Sequence, residues 1–174
     1  MRPVSTRALG LAATLAVLVL AGGASPATVA PCAGSQLTGS FRVVYGSAGA
    51  GNIVYALGIR NRSTHSCFVS GLAQLRLLGR TGRPLPTHVL PTLRGGLTAV
   101  RVVLRPGARA RATARFSPDV PGPGEPVGHT VCEPKSYRLR VVPRPGGGTF
   151  VVPVEPPTAV CEHGRLELSA FSRA

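Results

Sequence analysis

The sequence predicts an all-β protein, one antiparallel β-sandwich of about eight or nine strands. Three observations carry that expectation. Short runs of alternating apolar and polar residues recur along the chain. Turns rich in Gly and Pro separate them at sandwich spacing. No run shows convincing helical periodicity. The length, 174 residues, is enough for one domain with a real core.

The chain opens on a segment that stands apart from the fold. MRPVSTR carries Arg2 and Arg7 and no acid, Ala8–Ala21 is apolar and uncharged, and the small residues GGASPATVA follow. A charged stretch, an apolar stretch and a small-residue cleavage site make a secretory signal. The apolar run is shorter than the roughly 20 residues that span a bilayer. Cleavage after Ala27 predicts a signal peptide over 1–27 and a single sandwich domain over 28–174. Cys32 follows Pro31, not a small residue at the cleavage point, which argues against a lipid anchor. The expected location is outside the cell or in its envelope, with no transmembrane span after processing.

The strands then follow in order. LTGSFRVVYG (37–46) is the first, and GNIVYALGIRN (51–61) comes after the turn GSAGAG. CFVSGLAQLRLLG (67–79) reads as one strand, followed by the turn RTG and a short RPLPTHVL. TAVRVVLRPG (98–107) and ARARATARFS (108–117) lie beyond the Gly95–Gly96 break. Ser117–Gly128 is so rich in Pro and Gly that it reads as a long surface loop. SYRLRVVP (136–143), GTFVVPVE (148–155) and GRLELSAF (164–171) complete the set. In RTGRP (80–84) and RPGGG (144–148), glycine supplies positive φ for turns.

ARARATARF, Ala108–Phe116, tests the strand reading hardest, because alanine favours helix. Odd positions give Arg109, Arg111, Thr113 and Arg115; even positions give Ala110, Ala112, Ala114 and Phe116. That is period 2. On a helix, Arg109 and Arg111 would fall on nearly opposite faces. Pro106–Gly107 and Ser117–Pro118 confine the segment to strand length. It reads as a strand with arginines on its wet face and small alanines under an approaching layer. Arg60/Arg62 and Arg138/Arg140 repeat the pattern.

The net charge is +14 and the pI about 11.6, and lysine occurs once, at Lys135. An arginine bias with abundant Ala, Gly, Val and Pro is what a GC-rich genome writes. It is a coding bias before it is a binding signal. Nucleic-acid platforms interleave aromatics for stacking. This chain has three tyrosines, five phenylalanines and no tryptophan, and none sits between these arginines. Nucleic acid is therefore not the expected partner.

Catalytic signatures are lacking in the sequence. It contains no G-x-S-x-G elbow and no phosphate loop. His65, His88, His129 and His163 are not spaced as a metal pair on one element. His163 lies in CEHG, which a half-cystine beside a turn explains. Asp119 is the only aspartate, and the six acids are scattered. The expectation is a non-enzyme with no cofactor and no metal. Asn61-Arg62-Ser63 fits a glycosylation acceptor, which in a bacterial chain is chance. Cys32, Cys67, Cys132 and Cys161 are an even set in an exported chain without C-x-x-C pairs, so two disulfides are expected over zinc. Four cysteines allow three connectivities.

The ordered set of motifs resembles an actinobacterial exported family, domain of unknown function 4232. The resemblance begins at Cys32, GSAGAGN, IVYALGIRN and N-x-S-x-x-S-C over Asn61–Cys67. It continues with LRLLG, GRPL at 82–85, and L-x-P-G-x-x-A at Leu104, Pro106, Gly107 and Ala110. It ends with Cys132, LRVVPRPGG and C-x-x-G-x-L-x-L-S over Cys161–Ser169. Where the family often has Gly-aromatic-Pro this chain has Gly71-Leu72-Ala73, and where it often has tryptophan this chain has Phe116-Ser117. The resemblance implies an immunoglobulin-like sandwich and export, and favours pairing Cys32 with Cys67 and Cys132 with Cys161. It implies no catalytic residues.

The function expected is a secreted binding module whose partners are anionic envelope polymers or another secreted protein. Arg109, Arg111, Arg115, Arg138 and Arg140 are the candidate polyanion-binding residues, if they share one sheet face. The alternatives are a wet face that only aids solubility, an enzyme with a dispersed site, and a partner-binding domain acting through its loops.

Overall fold

The structure, a computed structural model, describes residues 28–93, 100–128 and 132–174. The expected signal peptide over 1–27 and His129 lie outside the described residues. Among the described residues there are twelve strands: β1 (Ala30–Pro31), β2 (Leu37–Val43), β3 (Ile53–Asn61), β4 (Cys67–Val69), β5 (Gln74–Leu78), β6 (His88–Pro91), β7 (Val102–Leu104), β8 (Arg109–Phe116), β9 (Ser136–Val142), β10 (Phe150–Thr158), β11 (Arg165–Leu168) and β12 (Ser172–Arg173). A three-stranded sheet runs β1-β4-β7, and a nine-stranded sheet runs β5-β9-β10-β2-β3-β8-β11-β6, with β12 also on β8.

Two expectations are corrected here. The strand count exceeds eight or nine, partly because CFVSGLAQLRLLG is two strands. Gly71, at φ 71°, turns the chain between β4 and β5, which then join different sheets. The pairing is also not purely antiparallel. β1–β4, β2–β10 and β6–β11 run parallel. The β2–β10 pair stitches a C-terminal arm of strands onto an N-terminal one, making one continuous large sheet.

Both sheets turn their apolar side chains into a common core. In β8 the alternation is complete: Ala110, Ala112, Ala114 and Phe116 are buried, and Arg109, Arg111 and Arg115 are exposed. Tyr55 of β3 sits between the rings of Phe41 (5.1 Å) and Phe116 (5.2 Å). Its hydroxyl donates to the Pro156 carbonyl at 2.8 Å, and burial pushes that hydroxyl's pKa up. Disulfides join Cys32 to Cys67 and Cys132 to Cys161. The first clips β1 onto β4. The second holds the end of the 117–128 loop region against the turn after β10.

Candidate functional site

The three central strands β2, β3 and β8 present their outward residues in rows. Thr38 lies opposite Arg60, which lies opposite Arg109; Ser40, Gly58 and Arg111 form the next row; Arg42, Ala56 and Thr113 the third. Gly58 carries no side chain between Ser40 and Arg111. That gap opens a trough of 550 Å³ across the sheet. Its walls are hydroxyls on β2 (Thr38, Ser40) and guanidiniums on β8 (Arg109, Arg111). Arg60 and Arg42 stand towards its two ends, and Ala174 also lines it.

The electrostatics of the four arginines differ. Arg42 Nε meets Glu155 Oε2 at 2.7 Å, an exposed surface ion pair. Arg60 Nε donates to the Gly107 carbonyl at 3.3 Å, which fixes one edge of its fork and leaves the other free. Among the described residues, Arg60, Arg109 and Arg111 take part in no ion pair with a carboxylate. Arg60 and Arg109 are direct cross-strand neighbours, and like charges so placed destabilise a sheet. An anion between the two guanidiniums reverses the sign of that interaction. Arginine forks suit phosphate and carboxylate oxygens, and Gly58 lets such a group come down to the backbone.

The five candidate arginines are all exposed on the large sheet, at different places along it. Arg109 and Arg111 line the trough, but Arg115 lies farther along β8, opposite Val54 and Glu167. Arg138 and Arg140 are on β9. Arg138 donates to the Arg80 carbonyl at 3.1 Å. Arg140 lines a second open cavity, of 520 Å³, with Arg76, Gln74, Thr87 and Thr149. Arg62 is drawn away to the Ser35 carbonyl. Sequence reasoning missed Arg42, Gly58 and Arg76. Arg42 was legible from the same alternation, since Phe41 points inward. Asn61 is fully buried and donates to the carbonyls of His65 (2.8 Å) and Leu104 (3.0 Å), so its N-x-S pattern presents no free amide.

A second cluster lies among the loops. Glu162, His163 and Gly164 have φ of 54°, 56° and 79°, one left-handed turn in the middle of CEHG. Its backbone N–H groups converge on the buried Glu125, which accepts from Gly122 (2.6 Å), Glu162 (2.8 Å) and His163. The 117–128 loop lies largely on the surface, as expected, and the buried Glu125 carboxylate anchors it. Burial alone would raise the Glu125 pKa. The N–H donors of His163, Gly122 and Glu162 and the nearby His163 ring outweigh it and hold the carboxyl below its ordinary value. Glu133 is pushed up by burial and by the Glu125 charge.

Glu125, Glu133 and His163 offer donor atoms within 4.8 Å of one another, as a metal site would. The Glu125 oxygens, however, already accept three backbone hydrogen bonds. Cys132 and Cys161 beside them form a disulfide and present no thiolate. His163 Nε2 bonds the Pro123 carbonyl at 3.0 Å. His65 is exposed beside Thr64, and His88 is exposed on β6. The three described histidines therefore sit in separate places, and among the described residues only His163 meets acids.

The profile of one domain family, described as Domain of unknown function (DUF4232), matches residues 32–172. No curated protein and no solved structure matches the chain.

Proposed function

We propose that this chain, which belongs to the DUF4232 family, is a secreted, non-catalytic sandwich of immunoglobulin-like type that binds anionic polymers of the cell envelope. The observation that carries the reading is the trough. Three arginines without carboxylate partners surround a glycine floor on an exposed sheet. Among the described residues no acid pairs with them, Glu155 at the trough's Arg42 end included. Glu155 is paired with Arg42, Glu162 and Glu167 with Arg165, and Glu125 and Glu133 sit in the loop cluster.

Export is supported by the signal-like sequence pattern of residues 1–27 and by two disulfides that use all four cysteines. Among the described residues no helix is long and apolar enough to cross a membrane. Intact mass of the exported protein tests this part. A chain starting at Thr28 is expected, and one retaining Met1–Ala27 or carrying a lipid overturns it.

The binding test compares the parent with R60Q/R109Q/R111Q on purified envelope. The parent is retained at low salt and released as salt rises, because exposed charges are screened within about 10 Å at 0.1 M. The triple variant passes through with unchanged thermal unfolding. Equal retention of both would reduce the arginines to composition.

A further inference from the structure

The large sheet contains a second pair of arginines in direct opposition. Arg76 of β5 lies across from Arg140 of β9. Both are exposed, both line the 520 Å³ cavity, and neither takes part in an ion pair among the described residues. The arrangement of Arg60 and Arg109 is thus repeated, with its cost in like-charge repulsion.

The register relates the two pairs. Arg140 lies opposite Val151 on β10. β10 runs parallel to β2 with Val154 level with Phe41. Carrying that register back along both strands sets Val151 level with Thr38. Thr38 lies opposite Arg60, and Arg60 opposite Arg109. One row crossing six strands therefore reads Arg76, Arg140, Val151, Thr38, Arg60, Arg109. Arg140 and Arg60 are three strand intervals apart, about 14 Å along the curved surface at about 4.8 Å each. The residues between them are uncharged and exposed.

We propose that Arg76 and Arg140 form a second anion site, and that the row from Arg76 to Arg109 binds one linear phosphate chain running across the strands. This rests on the trough reading and extends it. Each pair clamps a phosphate between two guanidinium forks, and the chain bridges the pairs over Val151 and Thr38. No aromatic side chain belongs to the row, so it offers no platform for stacked bases. A flexible chain with closely repeated phosphates fits it best. Two linked sites convert the second contact into an intramolecular one, which raises affinity with no new contact type.

The test titrates the full exported protein with tripolyphosphate, long-chain polyphosphate and poly-glutamate at fixed salt. Tripolyphosphate is too short to span both pairs. Long-chain polyphosphate is expected to bind about a hundredfold more tightly than tripolyphosphate. R76Q/R140Q is expected to lose that gain while keeping tripolyphosphate binding at Arg60 and Arg109. R83Q/R144Q, which removes the same charge from exposed sites off the row, is expected to keep the gain. If the gain is absent, survives in R76Q/R140Q, or falls equally in R83Q/R144Q, the row is overturned and the trough stands. If poly-glutamate gains as much as polyphosphate, the phosphate assignment is overturned. If none of the three polyanions binds the parent, the trough reading fails with it.

Discussion

Glycine serves opposite purposes at Gly58 and Gly164. Gly164 has φ 79°, and a Cβ there would run into the Pro86 carbonyl, so the fold requires it. Gly58 is not in the left-handed region, and a Cβ would meet only the rotatable Ser40 hydroxyl at 3.2 Å. Strand propensity argues for a β-branched residue at such a position. Gly58→Val is therefore expected to fold with equal or higher Tm and to lose retention on envelope, because it fills the trough floor. Loss of folding with loss of retention would remove this evidence for a binding floor. Glu125 and Glu133 give a second residue-scale test, with opposite signs. Glu125 is held below its ordinary value, so its contribution is complete above that value and fades as pH falls through the lowered native one. Glu133 is raised, so ionising it costs stability once pH has risen through its native value. At neutral pH, Glu125→Gln is expected to destabilise by about 1.5–3 kcal/mol, the range for hydrogen bonds to a charged group. Glu133→Gln is expected to stabilise. Denaturant unfolding of both variants checks the signs.

At the scale of the element, β8 is the most demanding strand. Its inner alanines, Ala110, Ala112 and Ala114, are all buried, so the layer beneath approaches closely. Ala112→Leu is expected to cost about 1–3 kcal/mol by overpacking, read as a drop in denaturation midpoint. The disulfide between β1 and β4 is expected to contribute about 2–4 kcal/mol. Cys32→Ser/Cys67→Ser measures that, and non-reducing peptide mapping checks the linkage. Strands such as β8 and β3 were legible because one face is dry and the other wet, so period 2 is written in the residues. β1 and β12 were not, since two residues have no period. RPLPTHVL reads as a short run, but only its last three residues and Pro91 form β6, because Pro84 and Pro86 keep the rest out of the ladder. The parallel pairings were illegible for another reason: they join segments far apart in the chain, and alternation fixes which face is buried but not which neighbour is met. The same limit divided the site. Sequence located the arginines of β8 and β9, but only pairing shows that Arg109 faces Arg60 and Arg140 faces Arg76. The Glu125 turn was hidden because three consecutive left-handed residues, two of them not glycine, have no compositional mark.

Across the described residues, charge is unevenly spread, with Glu155 and Glu167 the acids that share the large sheet with its arginines. Guanidiniums occupy the outer face of the large sheet, while Glu125, Glu133 and Glu162 gather at the loops around the second disulfide. A molecule so polarised should orient as it approaches a polyanion, with an association rate that falls as salt rises. Stopped-flow rates at two ionic strengths check this, and a rate indifferent to salt would contradict it. The β2–β10 seam has a consequence in time. The N-terminal hairpin of β2 and β3 has one edge awaiting β8 and the other awaiting β10, and Tyr55 finds its hydroxyl acceptor at Pro156, a separation of 101 residues. Contacts of such span make folding slow, because the loop must close before the contacts reward it. The seam therefore cannot form on a partial chain. Until β8 arrives the hairpin is a marginal two-stranded fragment, and the outer edge of β2 stays unpaired until Val154 follows.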